Sequence, residues 1–316
     1  MFLRLNVISF FLYFIVSTVV QASTKDYKIT VNSPISIASM LNGEVGKSLD
    51  ISLHFQQTSA IASKGLAIIL PSSNANMDDE NYYASQMRDM GFGTVIVNGA
   101  KPRFVKKFTR SYTSAMIVED LAKTLEFISK KFGNPEKVIV LASSTGSLAI
   151  FASQLEPVIN AMPSLKSITH AFMLNAACPT KVEIALSPTA KIFTVNGLQD
   201  DSTPAFACRE MKEINDMPNV RLLTFKGAHH FESPKYQVYG EVDGPHIIPT
   251  CKINYDKNTF MYVEKRDGSG GVSEKDLGMA GLQQWVYGNC VKRGNLQGYN
   301  QESANLFWND VKRLTQ

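Results

Sequence analysis

The chain has 316 residues, of which 19% are charged and 44% are hydrophobic, and its formal net charge is +4. The hydrophobic fraction is typical of a globular protein and argues against intrinsic disorder, while the length allows one large domain or two smaller ones. The basic residues are spread along the chain, which argues against nucleic-acid binding, and no apolar segment of membrane-spanning length follows the N-terminus, which excludes a protein with several membrane spans.

The N-terminus has the pattern of a secretory signal. Arg4 precedes an apolar stretch over residues 7–20, and the small residues Val20 and Ala22 are followed by polar residues. This predicts a signal peptide over residues 1–22 with cleavage after Ala22, and therefore a periplasmic or secreted protein without stable membrane insertion after cleavage. An uncleaved anchor helix is the alternative, and the short apolar core disfavours it.

Strands and helices alternate along most of the chain. Eight strands are predicted, several of them continuous apolar runs, at residues 27–31, 49–55, 65–70, 94–97, 137–142, 171–174, 191–195 and 220–225. Helix periodicity is present at residues 80–90, 115–132, 146–155, 204–214 and 302–314. This order predicts a three-layer α/β fold with a mostly parallel central sheet, helices on both faces and an antiparallel N-terminal edge.

The region from about residue 236 to 290 interrupts this pattern. It contains Pro245, Pro249 and a Gly-rich run, and neither a helical nor a strand period continues through it. We therefore predict a single domain over residues 23–316 that carries an insertion at 236–290, which would be a lid, a binding loop or a disordered segment. The two cysteines within it favour an ordered insertion.

The four cysteines are Cys178, Cys208, Cys251 and Cys290. In an exported chain they are expected to form two structural disulfides, which would staple the insertion, and three connectivities are possible. A reactive thiol is the weaker alternative.

The fifth predicted strand is followed by Ser144 and Gly146, and a helix is expected to begin there. Because Ala142 precedes the serine by two residues, the pattern is small-x-Ser-x-Gly, which is typical of a nucleophile elbow. In such an elbow the serine occupies a strained turn that only small neighbours can approach. The helix N-terminus then directs backbone N–H groups, beginning with that of Thr145, towards a developing oxyanion. The alternative is a serine that merely caps the helix.

Two further segments carry groups that a serine nucleophile needs, each after a later predicted strand. Asp200 and Asp201 follow the seventh strand, where an acid would orient a histidine, although either could instead cap a helix. His229 and His230 follow the eighth strand, where one of them would serve as general base. Since no acidic ligand cluster accompanies these histidines, neither a metal nor another cofactor is expected.

The order Ser, Asp, His at three strand ends is that of an α/β-hydrolase. From about Gly65 to Phe231 the sequence resembles this superfamily, and particularly its secreted dienelactone-hydrolase-like branch. The resemblance is carried by a Gly-Phe pair before the fourth strand, by Arg110, Ala115 and Asp120, by Gly197-x-x-Asp200 with Pro204, and by Gly227-Ala228-x-His230. The last two patterns imply that Asp200 is the acid and His230 the base.

One feature of that family is missing. The family usually has His-Gly after the third strand, where a backbone N–H supplies half of the oxyanion hole, whereas this chain reads Leu70-Pro71-Ser72-Ser73-Asn74. Because a backbone donor needs no particular side chain, the resemblance implies N–H donors from Thr145 and from Ser72 or Ser73. Cytoplasmic dienelactone hydrolases also use a cysteine nucleophile in place of Ser144.

The resemblance implies an enzyme that hydrolyses an ester, lactone or related acyl bond of a small molecule through an acyl-enzyme on Ser144. Two alternatives remain, a non-catalytic exported binding protein on a hydrolase scaffold and an acyltransferase with the same triad. The predicted topology places Cys178 and Cys208 after neighbouring strands, so we expect a bridge between them beside Asp200. The second bridge, from Cys251 to Cys290, would then close the insertion.

Overall fold

The computed structural model describes residues 23–57, 64–72, 77–103, 112–187, 189–227, 240–247 and 250–316, so the predicted signal peptide lies outside it. Along these residues the strands are β1 (Ser23–Val31), β2 (Leu49–Gln57), β3 (Leu66–Ile69), β4 (Gly93–Asn98), β5 (Val138–Ser143), β6 (His170–Leu174), β7 (Lys181–Val182), β8 (Lys191–Gly197), β9 (Val220–Phe225), β10 (Gly240–Ile247), β11 (Cys251–Asp256), β12 (Phe260–Lys265), β13 (Gly271–Ser273) and β14 (Val291–Gln297). The α-helices are α1 (Ile37–Leu41), α2 (Asp78–Asp89), α3 (Ser114–Phe132), α4 (Thr145–Ser153), α5 (Glu156–Ala161), α6 (Ala205–Ile214), α7 (Glu274–Asn289) and α8 (Gln301–Leu314). None of these helices is both long and apolar enough to cross a membrane.

The central sheet has eight strands in the order β1-β2-β4-β3-β5-β6-β8-β9. The pairs β1–β2 and β2–β4 are antiparallel, and every later pair is parallel. All residues of β3, β4, β5 and β6 are buried, as expected for parallel strands that are covered on both faces. The predicted three-layer α/β fold with an antiparallel N-terminal edge is confirmed.

Two apolar cores lie on opposite faces of this sheet. One face is covered by α3 and α4, and the predicted stripe of α3 (Ile117, Leu121, Leu125 and Ile128) is buried there. The other face is covered by α2 and α8, whose Tyr83, Phe307 and Trp308 pack with strand residues such as Phe172. Helices therefore cover both faces of the sheet.

The region predicted as an irregular insertion is regular. Strands β11, β12 and β13 form a sheet with β7, β10 pairs with β14, and α7 lies between β13 and β14. Periodicity does not reveal these elements, because burial does not alternate regularly along β11 and β12, and because Pro245 and several glycines occur within or beside the strands. The element that closes the insertion is β14, so the insertion extends beyond residue 290.

The insertion is built into the core of the domain. Its strand β11 pairs in parallel with β7, and the Thr180 N–H donates to the Ile253 carbonyl at 2.6 Å. The fully buried Tyr255 stacks on Phe151 of α4 with ring centroids 5.8 Å apart. Tyr255 and Phe151 therefore belong to one continuous apolar cluster that also contains the stripe of α3.

Two disulfides connect these parts, and they join the pairs named from the sequence. Cys178 is bonded to Cys208, which ties the segment after β6 to α6, with Cα atoms 4.9 Å apart. Cys251 is bonded to Cys290, which ties the start of β11 to the end of α7.

The stacking of Tyr255 on Phe151 predicts that the insertion contributes to the stability of the whole domain. We expect Tyr255→Ala to lower the free energy of unfolding by about 3–5 kcal/mol, because a large aromatic ring leaves a cavity in a packed core. Tyr287→Ala, at a side chain of the same insertion that is 44% exposed, should cost less than about 1 kcal/mol. Urea denaturation measures both, and equal losses would contradict the packing argument.

His170 predicts a pH dependence of stability. Burial, followed by the charges of Lys191 and Lys137, lowers the pKa of His170 from 6.5 to about 4. Between those pH values the unfolded chain binds a proton that the folded chain does not, so stability falls as pH is lowered through this interval. His170→Gln should make the fall from pH 6.5 to 4 shallower in denaturation measured across that range. An unchanged slope would contradict the role of His170.

Candidate active site

Ser144 lies in a strained turn between β5 and α4. Its φ of 53° and ψ of −118° are unusual for a residue with a side chain, and such a conformation persists only where the surroundings impose it. Its N–H donates to the Leu174 carbonyl at 3.0 Å, and its carbonyl accepts from the Ser147 N–H at 2.9 Å and from the Ser147 hydroxyl at 2.5 Å. Although Ser144 occupies the N-cap position of α4, its side chain makes no capping hydrogen bond. The structure therefore does not support the alternative that this serine merely caps a helix.

The two small neighbours of Ser144 fit tightly. A Cβ atom added to Gly146 would lie 2.6 Å from the Pro71 carbonyl oxygen and 2.8 Å from the Cβ of Ala142. These contacts explain the small-x-Ser-x-Gly spacing, because Ala142 is the neighbour against which residue 146 packs. They also place the segment after β3 directly against the elbow.

Asn175 is a neighbour of the elbow that the sequence analysis missed. It directly follows β6, has a φ of 46° and is fully buried. Its side-chain amide donates to the Ser143 hydroxyl at 3.1 Å. A polar residue at the end of an apolar strand beside β5 was the available signal, since the carboxyl ends of parallel strands share one edge of the sheet.

Asp200 is 5% exposed and lies in a tight turn after β8. Its Oδ1 accepts from the N–H groups of Ser202 and Thr203 at 2.8 and 2.7 Å, and its Oδ2 accepts from the Thr203 hydroxyl at 2.7 Å. These bonds fix the orientation of the carboxyl group. Asp201 does not cap α6, because the N-cap of that helix is Pro204.

The loop that carries Asp200, called the acid loop, is connected by hydrogen bonds to the segments that follow β6 and β9. The Asn196 side chain donates to the carbonyls of Ala176 and Thr203, which links this loop to the segment after β6 beside the Cys178–Cys208 bridge. On the other side, the Gln199 N–H donates to the Gly227 carbonyl at 2.8 Å. The segment that leads from β9 to the two histidines therefore begins against the acid loop, whereas His229 and His230 themselves lie outside the described residues.

The expected oxyanion donors have different surroundings. Thr145 is the first residue of α4. The Ser72 N–H donates to the Oε1 atom of Glu80 at 3.1 Å, and Glu80 is 1% exposed on the first turn of α2. Ser73 lies outside the described residues.

A buried ionic network surrounds Asp120. The Arg103 guanidinium binds both oxygens of Asp120 at 2.9 Å, and the Tyr112 hydroxyl donates to Oδ2 at 2.9 Å. Burial raises the pKa of Asp120 to about 6 although Arg103 acts in the opposite direction, and burial raises the pKa of Tyr112 as well. Arg110, which the sequence resemblance named, lies outside the described residues.

In the part of the chain that the structure describes, the remaining titratable groups form no metal centre at this edge. Within the described residues no group of three or more His, Cys, Asp or Glu side chains is placed to hold a metal ion. His54 contacts Asp26 at 2.8 Å where β2 pairs with β1. His170 is the first residue of β6, so it lies at the end of the strand opposite to the carboxyl ends that carry the candidate site.

The strand order, the mostly parallel pairing and the strand–Ser144–helix turn are those of the α/β-hydrolase fold. No protein-family model and no curated protein matches the sequence. Among solved structures, the chain is similar to a dienelactone hydrolase-like promiscuous phosphotriesterase, P91, from metagenomic libraries, with 9% identity, a TM-score of 0.46, and coverage of 92% of this chain and 97% of that one.

Two further similar structures come from named organisms. An esterase of Pyrococcus furiosus has 14% identity and a TM-score of 0.47, with coverage of 66% of this chain and 85% of that one. An α/β serine hydrolase without a lid from Xanthomonas campestris has 10% identity and a TM-score of 0.46, with coverage of 65% and 86%. The function proposed below rests on the residues of this chain.

The fit around Gly146 predicts opposite outcomes for two glycine substitutions. Gly146→Ala should lower the free energy of unfolding by about 1–3 kcal/mol, because the added methyl group meets a backbone carbonyl and Ala142. Gly288→Ala in α7 should raise it by about 0.5–1 kcal/mol, because a Cβ there has no neighbour within 4 Å and alanine favours a helix. Chemical denaturation measures both changes, and a neutral Gly146→Ala would contradict the packing of the elbow.

Proposed function

We propose that the chain is an exported serine hydrolase that cleaves ester, lactone or related acyl bonds of small molecules. The observation that carries this proposal is the conformation of Ser144, which is strained, has no capping bond and lies between a parallel strand and a helix N-terminus. Strain of this kind is found where the backbone is shaped for function. The two disulfides are consistent with export, because such bonds persist in oxidising compartments.

In the proposed mechanism the Ser144 hydroxyl attacks the substrate carbonyl. His230 accepts its proton and later transfers it to the leaving group, and Asp200 orients His230. Two features support the last role: the Asp200 carboxyl is fixed by three hydrogen bonds, and its loop is bonded to Gly227, three residues before His230. Water then releases the acyl group from Ser144.

The tetrahedral intermediate needs two N–H donors. The first is that of Thr145, because it begins the helix that follows the nucleophile. Of the two candidates after β3, we assign the second donor to Ser73, since the Ser72 N–H already donates to Glu80.

Substitution of Ser144 tests the nucleophile. Ser144→Ala should lower kcat for a short p-nitrophenyl ester by at least about 10³-fold and abolish labelling by a fluorophosphonate probe, with little change in the thermal melt. Ser129→Ala, which removes an exposed hydroxyl on α3, serves as the control and should retain both activities. A wild-type chain that neither hydrolyses nor is labelled would favour the binding-protein alternative, and acyl transfer to an added alcohol in excess of hydrolysis would favour the acyltransferase.

A second pair of variants tests the acid. Asp200→Asn should lower kcat by about 10⁴-fold, because a neutral amide cannot stabilise the imidazolium of His230, while Asp201→Asn should stay within about threefold of the wild type. Steady-state kinetics on the same ester measures both. The reverse result would transfer the role to Asp201.

A further inference from the structure

We infer that Glu80 is a positioning residue for the oxyanion side of the active site. It holds the peptide between Pro71 and Ser72 in the orientation that the elbow requires. This inference rests on the proposed hydrolase function and assigns a role to a buried carboxyl group that the mechanism above does not use.

The orientation of the peptide follows from two contacts on its opposite sides. The Pro71 carbonyl oxygen lies against Gly146, only 2.6 Å from the place where a Cβ would be. No described peptide bond is cis, and in a trans peptide the carbonyl and the following N–H point in opposite directions. The Ser72 N–H therefore points away from the elbow, and Glu80 accepts it there at 3.1 Å.

The contact with Glu80 helps to position the segment after β3. The last backbone bond of β3 to β5 is donated by the Leu70 N–H to the Leu141 carbonyl at 2.9 Å. Beyond it, among the described residues, the bond from the Ser72 N–H to Glu80 links the segment to the first turn of α2. A hydrogen bond to a carboxylate is stronger than one between neutral groups, so its loss weakens the attachment of Ser72 to α2.

The side chain of Glu80 is placed for this role by its helix. It lies on the third residue of α2, and its neighbours Tyr83 and Ala84 are buried in the core that this helix forms with the sheet. The carboxyl group is thus presented from a rigid element to Ser72, which lies outside any helix or strand. A displacement of about 1 Å at a reacting centre can cost roughly 10²-fold in rate, so rigid support of this segment matters for catalysis.

Two substitutions separate the hydrogen bond from the charge and from packing. Glu80→Gln keeps an oxygen that can accept from Ser72 and should retain kcat within about threefold of the wild type. Glu80→Met has a similar volume without an acceptor and should lower kcat by about 10–100-fold with KM within about threefold, when assayed well below its melting temperature. Asp89→Asn, an exposed carboxylate-to-amide change on the last turn of α2, is the matched control and should behave as the wild type.

Hydrogen exchange gives a readout that does not depend on activity. In the proteolytic fragment that ends at Ser72, the amide hydrogens should exchange faster in Glu80→Met than in Glu80→Gln or the wild type. Glu80→Met with wild-type kcat would overturn the inference, as would Glu80→Gln with the same loss as Glu80→Met. If neither Glu80→Met nor Glu80→Ala folds, Glu80 has a purely structural role, and the inference is likewise overturned.

The Ser144→Ala variant separates this inference from the proposed function. If the wild type and Ser144→Ala hydrolyse the ester equally, the proposed function fails and the inference fails with it. If Ser144→Ala is inactive while Glu80→Met is fully active, only the inference fails.

Discussion

The turn at Ser144 is the constraint on which the site depends. The chain must leave a buried parallel strand and enter a helix within one residue. It does so at a positive φ, which is unfavourable for a serine unless its surroundings stabilise it. Leu174 and Ser147 stabilise this conformation by hydrogen bonds to the N–H and the carbonyl of Ser144. Gly146 contributes because it leaves room for the segment after β3. Neighbouring strand ends are therefore as necessary to the turn as its own residues.

The insertion also supports α4, the helix that begins at Ser144. Tyr255 presses on Phe151, which belongs to the helix that begins at the elbow, and the parallel pairing of β11 with β7 attaches the insertion to the segment after β6. An element covalently remote from Ser144 thus supports the helix whose N-terminus faces the proposed oxyanion. The two disulfides reinforce this support, one beside the acid loop and one within the insertion.

Much of this architecture could be predicted from the sequence because buried parallel strands are continuous apolar runs and α3 has a clear apolar stripe. The insertion could not, since its strand β11 pairs with β7, a strand of only two residues that lies far away in the sequence, and this pairing forms only through the tertiary fold. The turn at Ser144 and the acid at Asp200 were visible as local patterns. The hydrogen bond from the Ser72 N–H to Glu80 and the pairing of Arg103 with Asp120 were not, because each joins groups whose proximity is set by packing rather than by spacing.

The placement of α8 has a consequence for how the chain is made. Phe307 of this helix lies against Phe172 of β6 and Phe225 of the edge strand β9, and Lys137, just before β5, donates to the carbonyl of Thr315. The part of this face that α8 covers therefore stays exposed during synthesis until that helix has left the ribosome. A nascent chain that has not yet reached α8 cannot complete this core, so it stays open to chaperones and to any machinery that handles extended polypeptides.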